Sequence, residues 1–90
     1  MELNQDTQRK YLIIYSLVSL NRPSLADLHN ETSIPEATLK RQIALLRKEY
    51  QMDIQFVRHK KTVGKSGYYV LVDWGIIHPD KFLTSFGGLK

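Results

Sequence analysis

Apolar residues near the start of the chain fall at helical spacing. Tyr11, Ile14/Tyr15 and Val18 recur at three- and four-residue steps, as one buried helical face requires, and Leu12 widens that stripe. The width predicts a helix in the middle of the fold. Asp6 and Thr7 are both able to cap it, and Asn21-Arg22-Pro23 stops it, because proline drives the preceding residue out of the helical region. Ser24 opens a second, short helix, with Asp27 three positions on to complete a capping-box pair. Leu25 and Leu28 form its apolar face, and it ends soon after Asn30. Beyond a break at Thr32-Ser33, Pro35 suits the first turn of a third helix, and Glu36 complements its positive end. Leu39, Ile43, Leu46 and Tyr50 then share one face over 35–50, the strongest helical pattern in the chain.

After Tyr50 the period changes to two. Ile54, Phe56 and Arg58 alternate with Gln55, Val57 and His59, and 68–72 is rich in β-branched and aromatic residues. Between these runs, Lys60-Lys61-Thr62-Val63-Gly64-Lys65-Ser66-Gly67 has the glycines of a turn, so a hairpin with a long cationic tip is predicted. Asp73-Trp74-Gly75 ends it. Pro79 opens a short last helix through Phe86, and Gly87-Gly88-Leu89-Lys90 is expected to fray.

Ninety residues suit one domain. The absence of cysteine excludes disulfides and thiolate metal sites. The apolar run 11–20 follows Arg9 and Lys10, but it is half the length of about 20 residues needed to cross a bilayer, and no small-residue cleavage site follows it. A soluble cytoplasmic protein is expected, and Asn30-Glu31-Thr32 is a chance glycosylation match.

The net charge of +4 is modest, but its distribution is not. Over 40–65, Lys40, Arg41, Arg47, Lys48, Arg58, Lys60, Lys61 and Lys65 face only Glu49 and Asp53, eight cations against two anions for a local +6. Five cations and seven anions elsewhere sum to −2. A solubilising helix and a lysine-guarded sheet edge would account for some of this. Two adjacent basic elements favour a polyanion. At about 100° per residue, the side of the third helix opposite Leu39, Ile43 and Leu46 carries Ala37, Arg41, Ala44 and Lys48, flanked by Thr38 and Lys40. Small residues permit close approach, arginine can reach guanine O6 and N7, and threonine can meet a base or a phosphate.

Other constellations are weaker. Gly64-Lys65-Ser66 lacks the glycine five residues upstream, where His59 stands, and precedes a strand where a phosphate loop needs a helix. His29, His59 and His78 lack metal-ligand spacing. Tyr68, Tyr69 and Trp74 could stack bases, but adjacent strand residues point to opposite faces, so packing explains them better. No motif argues for catalysis, and no cofactor is expected. Leu45 and the Tyr11/Tyr15 side of the first helix are candidates for a homodimer contact.

The order helix, helix, tight turn, helix, hairpin resembles the winged helix–turn–helix domain. Leu25-Ala26-Asp27-Leu28 followed by Ser33-Ile34-Pro35-Glu36-Ala37-Thr38-Leu39-Lys40-Arg41-Gln42-Ile43 is similar to the regulator pattern in which a Leu-x-x-Leu helix leads into a recognition helix. Gly67-Tyr68-Tyr69-Val70-Leu71-Val72-Asp73-Trp74-Gly75 is similar to the ending of small stand-alone bacterial winged proteins. The resemblance implies an α+β, mainly α fold: a three-helix core, a C-terminal two-stranded wing and a short C-terminal helix. It also implies one domain over 1–90, with its core at about 7–74 and a tail at 75–90. Carried onto matching positions, helix 35–50 would turn Ala37, Thr38, Lys40 and Arg41 toward bases and nearby phosphates, with Lys48 on the same side. The wing 58–66 would lay Arg58, Lys60, Lys61 and Lys65 along the backbone or minor groove, and Arg22 and Ser24 would be secondary phosphate contacts. Ser33 stands where the pattern has glycine, at a cost of about 1 kcal/mol if its φ is positive. Glu36 departs too, since it would repel a close phosphate. The expectation is a bacterial transcriptional regulator that binds double-stranded DNA, and no enzyme. A protein-interaction module of the same fold, or a single-strand or RNA binder, stands as the alternative.

Overall fold

The computed structural model describes residues 4–58 and 67–89. Asn4 starts the first helix, α1 (Gln5–Ser19): its side-chain carbonyl accepts the Thr7 N–H at 2.8 Å, so the cap lies upstream of the expected Asp6 and Thr7. The other elements are α2 (Leu25–Thr32), α3 (Glu36–Glu49), β1 (Asp53–Arg58), β2 (Gly67–Asp73) and α4 (Pro79–Leu89). Three helices and an antiparallel hairpin thus appear in the predicted order.

The buried side of α1 is rotated from the expected stripe. Ile13, Ile14 and Leu17 are buried, Tyr11 and Tyr15 lie at the margin, and Val18 is 40% exposed. Apolar residues cover so much of this helix that periodicity alone does not select a side; packing against α2 and α3 does. Those helices contribute Leu28, Leu39, Ile43 and Leu46, and Ile34, Met52, Ile54 and Phe82 complete the core.

The break between α2 and α3 is built by local hydrogen bonds. Ser24 and Asp27 form the expected reciprocal capping box at the start of α2. At its end Ser33 is left-handed, with φ 62°, and donates its N–H to the His29 carbonyl at 2.7 Å. The Thr32 hydroxyl donates to the Leu28 carbonyl at 2.7 Å and accepts the Ile34 N–H at 3.2 Å. His29 Nδ1–H donates to the Ile34 carbonyl at 2.7 Å, which gives this exposed histidine a turn-fastening role. Buried Ile34 then directs the chain into α3, with Pro35 as its N-cap.

β1 and β2 pair antiparallel, Ile54 opposite Leu71 and Phe56 opposite Tyr69. Arg47 Nε on α3 donates to the Ile54 carbonyl at 2.8 Å, and the Tyr69 N–H donates to the Pro23 carbonyl at 2.8 Å. The hairpin is therefore tied to α3 on one strand and to the α1–α2 connection on the other. Gly67 is needed where it stands: a Cβ there would strike the Val57 carbonyl and the Phe56 ring. Past β2, Gly75 (φ 61°) lets the chain turn against the end of α3, where the Ile76 N–H donates to the Tyr50 carbonyl at 3.0 Å. α4 then packs Phe82 edge-on against Tyr11, ring centroids 5.1 Å apart, and against Trp74 at 5.8 Å. Its backbone stays helical to Leu89 rather than fraying after Phe86, since glycine weakens a helix without forbidding it.

The left-handed Ser33 generates a prediction. Replacing Ser33 with glycine should raise unfolding stability by about 0.5–1 kcal/mol, seen as a higher urea midpoint followed by Trp74 fluorescence. An unchanged or lower midpoint would show that the turn does not strain this residue.

Candidate nucleic-acid interface

α3 has two chemically different sides. Leu39, Gln42, Ile43 and Leu46 are buried; Ala37, Lys40, Arg41, Ala44 and Lys48 are exposed, and Thr38 is half-buried. The exposed set is the side the helical projection assigned to the outside. Among the described residues none of Lys40, Arg41, Lys48 and Arg58 is in an ion pair with a carboxylate. Arg47 differs: its guanidinium is committed to the Ile54 carbonyl and fixes α3 to the sheet.

Lys40 and Arg58 both line one cleft, formed by the start of α2, the first turns of α3 and the hairpin. Arg41 and Lys48 stay on the open side of the helix. Lys60, Lys61 and Lys65, together with His59, lie outside the described residues. The two secondary phosphate candidates are already engaged. The Ser24 hydroxyl accepts the Asp27 N–H at 3.1 Å, and the Arg22 guanidinium lies 5.4 Å from the centre of the Tyr68 ring. The aromatic residues do not assemble into a stacking platform. Tyr69 packs with Phe56, centroids 4.9 Å apart, while Trp74 packs on Phe82. Burial pushes the Tyr69 phenol above its ordinary pKa, against the opposing charge of Arg47, so it stays protonated at neutral pH.

A polar anchor behind α3 was not among the expectations from the sequence. Lys10 is buried with its side chain 6% exposed, and its ammonium pairs with Asp6 one turn earlier on α1. The other oxygen of Asp6 accepts from Gln42 Nε2 at 2.7 Å, joining the first turn of α1 to the middle of α3. Gln42 Oε1 is buried without a partner among the described residues. Lys10 sits at an apolar-phase position of α1 and Gln42 at one of α3, which is the trace such a pair leaves in a sequence.

With this geometry, comparison with known proteins becomes informative. A family model described as winged helix–turn helix matches residues 2–87. The chain belongs to the winged helix–turn–helix family. In the terms of that family, α2 and α3 correspond to the helix–turn–helix pair and the β1–β2 hairpin to the wing. The crystal structure of a DUF2131 family protein from Shewanella amazonensis SB2B is similar, with a TM-score of 0.74 over 99% of this chain and 90% of that one. Its 22% sequence identity makes that a likeness of fold. No curated protein matches the chain. Membership of the winged helix–turn–helix family suggests nucleic-acid binding, specifically of DNA, by a domain type that is typically non-enzymatic. Among the described residues no helix is long and apolar enough to cross a membrane.

The anchor makes stability depend on acidity. Hydrogen bonds from Lys10 and then Gln42 hold the Asp6 carboxyl below its usual value of 3.8, with the charges of Lys10 and Arg41 adding to the effect. A lowered folded-state pKa stabilises the fold above the unfolded pKa, and that contribution is lost as pH falls through the lower, folded value. Asp6→Asn should therefore be less stable than the parent at pH 7, with the gap between their urea midpoints closing below about pH 4. A gap that does not change with pH would show that the carboxylate charge is not what holds Lys10 and Gln42.

Proposed function

We propose that this winged helix–turn–helix chain binds double-stranded DNA as a transcriptional regulator. In this reading α3 enters the major groove, and the tip of the wing lies along the backbone or minor groove. The observation that carries it is the contrast between the two sides of α3. Leu39, Ile43 and Leu46 fasten the helix to the core, and the opposite side offers small residues and cations that form no ion pair among the described residues. Fourteen residues make a rod of about 21 Å, and a major groove about 12 Å wide admits an α-helix. Ala37 and Ala44 let the backbone come close, Arg41 can donate two hydrogen bonds to guanine, and Thr38 can meet a base or phosphate. Lys40, Lys48 and Arg58 supply phosphate contacts, continued in the sequence by Lys60, Lys61 and Lys65. Regulation would follow from occupancy of the DNA, by obstruction or by recruitment.

Two measurements test this. Fluorescence anisotropy with a labelled duplex should give a log–log salt slope of about −4 to −5, corresponding to roughly five neutralised phosphates. Absence of duplex binding at about 50 mM salt, or tighter binding to single strands, would overturn the reading. Duplexes selected from a random pool should then separate the contacts. Arg41→Ala should lose about 1–3 kcal/mol of discrimination at one base pair, while Lys60→Ala with Lys61→Ala should weaken all duplexes alike. Parent-like behaviour of both variants would mean that the reading surface lies elsewhere.

A further inference from the structure

The cleft between α2, α3 and the hairpin has more structure than a basic face alone requires. It is an open cleft of about 490 Å³. Half-buried Leu25, Phe56 and Tyr69 line it, and exposed Glu36, Lys40 and Arg58 stand around them. Two aromatic rings, tilted 57° to each other, thus form an apolar surface beside two cations. The absence of a side chain at Gly67 leaves the space the Phe56 ring occupies.

We propose that this cleft binds a small aromatic carboxylate. The ring of such a ligand would cover Phe56, Tyr69 and Leu25, and its carboxylate would be held by Lys40 and Arg58. Charge complementarity selects the anion. Lys40 and Arg58 have no carboxylate partner among the described residues, and Glu36 leaves the rim with one net positive charge. The start of α2 is not what attracts it, since the capping box already occupies the Ser24 hydroxyl and the Asp27 carboxylate. The apolar lining favours a flat ring over a bare phosphate or a sugar–phosphate chain, either of which would leave Leu25 and the two aromatic rings uncovered. Because the cleft joins the recognition helix to the wing, its occupant would change how those two elements meet DNA. Binding itself is independent of the DNA reading and is measured without DNA.

The test uses 1-naphthoate as the probe and backbone amide shifts of the labelled 90-residue chain as the readout. Saturable shifts are expected at Leu25, Lys40, Phe56, Arg58 and Tyr69, with a Kd of about 0.1–1 mM for a ligand of this size. Lys40→Ala and Arg58→Ala should each weaken binding about tenfold while keeping the parent far-ultraviolet circular dichroism, and uncharged 1-naphthamide should bind about tenfold more weakly. Lys81→Ala, which removes a cation away from the cleft, should leave naphthoate binding unchanged. Shifts that do not saturate, that centre on other residues, or that persist unaltered in both cleft variants overturn the proposal. So does a cleft that responds to a short duplex but not to naphthoate, which would assign it to the DNA backbone.

Discussion

The seating of α3 against α1 governs the molecule. Ile13, Ile14 and Leu17 on one helix and Leu39, Ile43 and Leu46 on the other belong to a single buried cluster, and complete burial of side chains of this size contributes about 1.5–3 kcal/mol each. With that side of α3 consumed by the core, the alanines and cations of the opposite side are left on the surface. The polar anchor of Asp6, Lys10 and Gln42 adds direction to this packing. Aliphatic contacts tolerate sliding, whereas a carboxylate bridging a buried ammonium and a buried amide holds at one helical phase. The orientation of the exposed side is thus set from behind, by residues remote from any groove.

Much of this was legible in the sequence, for reasons that differ by element. α3 was clear because its apolar residues are few and evenly spaced, so one side alone could be buried. The capping box of Ser24 and Asp27 and the hairpin followed from short-range rules that tertiary contacts did not override. α1 was legible as a helix but not in its rotation, since apolar residues at 11–15, 17 and 18 allow several stripes and the neighbouring helices choose among them. Its cap was misplaced by two or three residues because Asn4, Asp6 and Thr7 are all competent, and only the Thr7 N–H identifies the one in use.

The candidate site divided in the same way. The outward positions of α3 could be projected from helical geometry, and family resemblance added the wing. The cleft was invisible because it joins residues from three elements, and Lys40 and Arg58 come to line it only through the hairpin's attachment to the core. Ser33 marks an intermediate case. Its departure from glycine was plain, but whether the departure carried a cost depended on a backbone angle, and the positive φ supplies that cost.

The bond from Tyr69 to the Pro23 carbonyl has a mechanical consequence. It makes the corner between α1 and α2 a fulcrum for the hairpin, while the Arg47 contact at Ile54 acts as a stay on the other strand. Held near its base at Ile54 and about midway along the partner strand at Tyr69, the described ribbon moves with the helices as one body. A change at Pro23 would therefore shift how the ribbon is seated on the helices although Pro23 lies outside the ribbon.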